Sequence, residues 1–221
     1  MGGPQSAAMR LLRIALLGIA ALALSSCGAS SPFSAGPPTP PAWDNHADQS
    51  LRLPDGVNCY DWLSRLGIDY ERTQPFAGMR NPVHVKGPIG GIRYTSAGQP
   101  GILCDCRLVL ALDWSARTLG PMGITQIQHS GAYVYRTTKS GRPSLHARGL
   151  AIDVHGLTYR DHTDWIERDF EKGLGDGCEP SAPEVNQVAC RLRNLRLFRE
   201  LITPDHNWDH HDHIHLGIMP L

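Results

Sequence analysis

Apolar residues recur three or four positions apart from Val185 to Ile202, so that Val188, Leu192, Leu195, Phe198 and Leu201 would share one face of a long helix. Two further helices are expected at Tyr60 to Leu66 and Arg107 to Thr118. Strands are expected at Ile124 to Gln128, Ala132 to Arg136, Leu150 to Val154 and Ile214 to Ile218. Helices and strands are mixed without strict βαβ alternation and without an internal repeat. This predicts an α+β domain built on a small antiparallel sheet flanked by helices.

The first 55 residues break this pattern. Arg10 and Arg13 precede an apolar run from Ile14 to Leu24 that is too short to cross a bilayer core of roughly 30 Å, so residues 1–26 read as an export signal. Leu24-Ser25-Ser26-Cys27 resembles the lipobox of bacterial lipoproteins, which implies acylation of Cys27 and a stable membrane anchor. Gly28 after the cysteine resembles the class sorted to the periplasmic face of the outer membrane. Residues 27–55 are rich in Ser, Pro and Gly and read as a tether, reaching at most about 80 Å when extended. Residues 56–221 are then one domain large enough to bury a core. The formal charge is zero, and removing the two arginines of residues 1–26 leaves a slight negative excess, which gives no footprint for nucleic acid.

Chemistry concentrates in two segments, Ser144-Leu145-His146-Ala147-Arg148-Gly149-Leu150-Ala151-Ile152-Asp153 and His213-Ile214-His215. In one continuous helix, His146 and Asp153 would stand about 10 Å apart along the axis, too far to share an ion with bonds of about 2 Å. The chain must bend between them, and Gly149 is placed to allow it. Beyond the bend, strand alternation turns Asp153 away from Ile152 and Val154, and sets His213 and His215 opposite Ile214 and Leu216. Two neighbouring strands would then bring His146, Asp153 and His215 together as ligands of one metal ion. Imidazole and carboxylate donors in an exported protein suit Zn2+, with manganese and iron as the other candidates, and three protein ligands leave a fourth position for water.

Ser-x-His-x-x-Gly-x-Ala-x-Asp with a later His-x-His resembles the signature of the zinc peptidase superfamily of D-alanyl-D-alanine carboxypeptidases, lysostaphin-type and murein endopeptidases, and hedgehog signalling domains. Over residues 57 to 219 the chain is similar to bacterial extensin-like C-terminal domains, through Cys59 and Leu63, Cys106 to Trp114, Tyr133-Val134-Tyr135-Arg136, and Cys190 leading to the segment Pro204 to His215. Tyr135 stands where that family would carry a cysteine. The resemblance implies His213 as general base, since the first His of the His-x-His lies beside the metal in endopeptidase members. Asp212, three residues before the metal His215 where carboxypeptidase members carry a catalytic Glu, is the rival. Strand alternation would turn it away from His213. His210 matches an accessory histidine that would hold the base or the oxyanion. Arg136 and Ser144 fall on the substrate side: Arg136 resembles an arginine that pairs with a carboxylate or developing oxyanion, and Ser144 would cap or orient the His146 segment. The remaining histidines, His155 among them, read as structural or exposed.

Five cysteines remain after Cys27, in a compartment where disulfides persist. Cys178 and Cys190 bracket a short insert, and their bond would contribute about 2–4 kcal/mol. Cys59 is expected to bridge Cys104 or Cys106, leaving one thiol over. The leading expectation is a zinc-dependent envelope peptidase acting on D-amino-acid amide bonds of peptidoglycan peptides. The alternatives are a non-catalytic wall-binding or structural lipoprotein that keeps the fold, and an amidase acting on another peptide.

Overall fold

The computed structural model describes residues 58–138, 140–174 and 178–219. The expected signal, the lipidation site Cys27 and the tether lie outside the described residues. Among the described residues, no helix is long and apolar enough to cross a membrane.

In chain order the elements are α1 (Cys59–Arg65), β1 (Tyr70–Arg72), β2 (Pro82–Val85), β3 (Arg93–Ser96), β4 (Gln99–Pro100), β5 (Ile102–Asp105), α2 (Cys106–Leu119), β6 (Gln126–His129), β7 (Ala151–Thr158), β8 (Thr163–Trp165), α3 (Ile166–Asp169), α4 (Glu184–Asn194), β9 (Glu200–Ile202) and β10 (Ile214–Gly217). β1, β2 and β5 form a three-stranded antiparallel sheet. The other seven strands form a sheet in the order β4-β3-β6-β7-β10-β9, with β8 also pairing β7. The fold is α+β, as expected, but the sheet is neither small nor wholly antiparallel, because β3 and β6 run parallel. Strands β1, β4, β8 and β9 span only two or three residues, too few for periodicity to reveal.

α2 is buried over most of its circumference. The Asp105 carboxylate caps it by accepting from the Arg107 N–H at 3.1 Å and is pinned by the Arg107 guanidinium at 2.8 Å. Leu112, Ser115 and Leu119 of α2 and Val188 and Leu192 of α4 meet Tyr94, Ile127, Val154, Leu157, Ile214 and Leu216 from the sheet. One face of the seven-stranded sheet is therefore sealed by helices, and the other remains free to carry chemistry.

Two expected elements are corrected. The helix expected to reach Ile202 ends at Asn194, where Arg196 adopts a left-handed φ of 56°. The following chain returns as β9 against β10. The apolar spacing persists past the end because Leu197 and Phe198 still turn into the same core. The strand expected at Ala132 to Arg136 is absent: the Val134 N–H reaches only the His146 carbonyl, and the Ser144 N–H reaches the Arg136 carbonyl, so the segment starts an irregular ribbon.

Disulfides join Cys59 to Cys106, and Cys178 to Cys190. The first ties α1 to α2, and the second ties the segment before α4 to its middle. The thiol left over is Cys104, fully buried on β5 and pushed well up in pKa by that burial.

Candidate metal centre

β7 and β10 pair antiparallel with His215 directly opposite Asp153, which brings their side chains together on the free face. His146 arrives from a single 3-10 turn, His146–Arg148, immediately before β7. Gly149 closes that turn at φ 65°, the bend the spacing demanded. A side chain there would also collide with its surroundings, since a Cβ would stand 2.7 Å from the Asp105 backbone nitrogen. The Ser144 hydroxyl accepts from the Ala147 N–H at 3.2 Å and so orients the turn, while also lining the cleft above it.

Three donor atoms converge. His146 Nε2 is 3.1 Å from Asp153 Oδ1 and 3.2 Å from His215 Nδ1, and His215 Nδ1 is 2.8 Å from Asp153 Oδ1. Donors around a tetrahedral ion with bonds of about 2.0–2.1 Å stand about 3.3 Å apart, so the cluster matches a metal-ligand triangle contracted by a few tenths of an ångström. All three residues are buried. Burial alone would raise the Asp153 pKa, but the hydrogen bonds to His146 and His215 and the charges of His146 and His213 outweigh it and hold the carboxyl well below the usual carboxylate range. Burial likewise pulls His215 towards the neutral form, and Asp153 and Glu200 overcome it and raise its pKa. These residues can hold a metal ion.

Supporting groups surround the triangle. Glu200 Oε2 lies 3.4 Å from His215 Nε2, on the side of the ring away from the cluster. A carboxylate behind a ligating histidine fixes its tautomer and raises its basicity. Nothing in the spacing pointed to Glu200, which reaches His215 only because β9 pairs β10. Arg136 Nη2 stands 3.8 Å from Asp153 Oδ2, on the opposite side from the histidines.

His213 Nε2 lies 3.5 Å from Asp153 Oδ1, and its Nδ1 lies 2.8 Å from Asp212 Oδ1. Asp212 therefore sits behind His213 rather than beside the triangle. Both precede β10, so strand alternation does not turn them apart. His155 Nδ1 is 3.6 Å from the other Asp212 oxygen, which makes His155, Asp212 and His213 a second group of potential donors. The ring of His210 is 5.1 Å from that of His213 and 6.0 Å from that of His215, and Asn207 Oδ1 holds its Nδ1 at 2.8 Å. Burial and the neighbouring imidazoles lower the His210 pKa, favouring its neutral form.

The triangle floors an open cleft of about 760 Å³. One wall is the ribbon carrying Arg136 and Ser144, and the other carries Asp209, His210 and His213. The arrangement sets a cluster of buried donors that could hold a cation, several imidazoles and a guanidinium around one exposed space. The chain matches no curated protein and no solved structure. The motifs that hold the cluster fall within residues 59–220, which match the family model described as the extensin-like protein C-terminus, and the chain belongs to that family.

Proposed function

We propose that the protein is a zinc-dependent peptidase of the bacterial cell envelope that hydrolyses D-amino-acid amide bonds in peptidoglycan peptides. The observation that carries the reading is the convergence of three buried donor atoms within 3.2 Å of one another at the floor of an open cleft, with a histidine beside them held by a carboxylate. When bound there, zinc would supply the Lewis acidity that polarises a scissile carbonyl and acidifies a water.

The protein's own groups do the rest. His146, Asp153 and His215 orient towards one point and leave the cleft side open. With its Nδ1–H donated to Asp212, His213 keeps Nε2 as a lone-pair nitrogen facing the cluster, so it takes a proton there and returns it to the leaving amine. Arg136 and neutral His210 flank the space in which a carbonyl oxygen would gain charge, where fixed donors lower the barrier most. A half-exposed guanidinium also suits the carboxylate of a stem peptide.

The substrate and compartment rest on the residues that resemble an export signal and lipobox, and on the likeness of the His/Asp signature to peptidases of the cell wall. The test is mass spectrometry of purified muropeptides incubated with the zinc-loaded protein and with Asp153→Ala. New fragments made only by the intact site are the expected result. Bound zinc without any cleavage would overturn the peptidase reading.

A further inference from the structure

The free face of the sheet carries a second depression, of about 510 Å³, whose lining includes Thr95 and Ser96 of β3, Gln128 of β6, His155 of β7 and Trp165 of β8. Pairing sets them in a row across the strands: Thr95 opposite Gln128, Gln128 opposite Gly156, and Gly156 opposite Trp165. Register slips between Gln128 and His129, and His155 is the residue of β7 left without a partner on β6. This bulge lets Val154 and Leu157 both face the core while Asp153 and Gly156 both face outward. Gly156 lets its neighbours close over the middle of the row, since a Cβ there would stand 2.9 Å from Gln128 Oε1 and 3.0 Å from the Trp165 ring.

Three observations point to a ligand. Trp165 is 43% exposed at the rim of the depression, which leaves an indole face available to a ligand. Gln128 donates through Nε2 to Thr158 Oγ1 at 2.6 Å, but its Oε1 is buried and accepts from none of the described residues. His129 is 5% exposed, and its Nδ1 is likewise buried without a partner. Each such atom carries a desolvation penalty that a donor or acceptor on a ligand would relieve.

The lining also selects the ligand's chemistry. None of its residues is Asp, Glu, Lys or Arg. Charge enters beyond this lining, where Asp212 lies 3.6 Å from His155 and where Glu167 and Arg168 line the adjoining hollow that shares His155 and Trp165. A pyranose ring has an apolar C–H face and a rim of hydroxyl and amide groups, which matches a flat indole bordered by hydroxyls and a carboxamide.

We propose that this depression is a saccharide subsite, which seats one ring of a glycan strand against Trp165 and offers Gln128 Oε1 to its N–H or O–H. It joins the catalytic cleft through His155, whose ring is 5.3 Å from that of His213. Asp153 is two residues, about 7 Å, along β7 from His155. A peptide attached to the seated sugar would therefore run over the metal cluster, so the substrate is a glycan-borne peptide. That last step rests on the peptidase reading, whereas saccharide binding is measurable without it.

The experiment is isothermal titration of the zinc-loaded protein with the N-acetylglucosamine tetramer. Wild type should bind saturably, Trp165→Ala about tenfold more weakly, and Trp165→Phe within about threefold of wild type, all with unchanged zinc content. Should Trp165→Ala fail to fold, Gln128→Met tests the same subsite and should also weaken binding. No binding by wild type, or equal binding by the folded variants, overturns the subsite. Binding that depends on Trp165 in a protein that cleaves no muropeptide would sink the peptidase and leave the subsite standing.

Discussion

The floor of the cleft and its walls are built by different physics. On the floor, Asp153 and His215 are a cross-strand pair whose backbones are held by the β7–β10 ladder, while the alternate residues Ile152, Val154, Ile214 and Leu216 are buried against the helices. Asp153 and His215 are thus locked by core residues beside them, and His146, on its 3-10 turn, sits next to the buried Ala147. The walls have no such ladder. Residues 133–138 and 140–144 are held by one bridge, Thr137 to Pro143, and a few backbone bonds, with Val134 and Tyr135 exposed, and the other wall is a single 3-10 turn, Trp208–His210, with the exposed Trp208 stacked on His211. A rigid floor suits metal ligation, which tolerates little displacement, and looser walls would suit the polymeric substrate proposed above.

The contrast can be broken most severely at the floor. Asp153→Ala should abolish stoichiometric zinc in metal analysis, losing more than the roughly 10–100-fold in affinity that removal of a supporting group costs, and cleavage should vanish with it. Next comes His213→Ala, which should keep zinc while lowering muropeptide turnover about 10²–10⁴-fold; loss of zinc in this variant would make His213 a ligand instead of a base. On the core side, Ile152→Ala should cost about 2–5 kcal/mol in denaturant unfolding, whereas Tyr135→Ala on the wall should stay within about 0.5 kcal/mol. Equal losses would erase the distinction between floor and wall. Glu200→Gln should weaken zinc about 10–100-fold without changing the fold, read by chelator competition.

The smallest effect is in the pH dependence. Burial lowers the His129 pKa, so the unfolded chain takes up this proton at about 6.5 before the folded one does. The contribution is intact above that pH and is lost as pH falls through the folded value. Melting temperature at saturating zinc should drop less between pH 7 and pH 5 in His129→Asn than in wild type.

Much of the floor was legible from local rules. Gly149 allowed the bend that the spacing of His146 and Asp153 demanded, and the alternation in Ile214-His215-Leu216 turned His215 away from the core. The bond between Cys178 and Cys190 followed from a short loop, while the choice of Cys106 over Cys104 waited on which thiol faced α1. The walls were misread for a physical reason. Ala132 to Arg136 looks like a strand, yet the neighbouring Ser144 to His146 bonds it at only two points before turning into the 3-10 turn at His146. Leu195 to Leu201 keeps apolar spacing through a helix stop because a helix face and a following turn can bury residues in the same core.

From the chain alone one can read the ligand types, the bend and the face on which they lie, because those depend on dihedral freedom and a two-residue repeat within a few positions. Only the assembled sheet decided that Glu200 backs His215, that Asp212 stands behind His213 and that a bulge at His155 opens a second depression. Each of these depends on which strands become neighbours and in what register, and that is settled by burial summed over the whole core, not by any single segment.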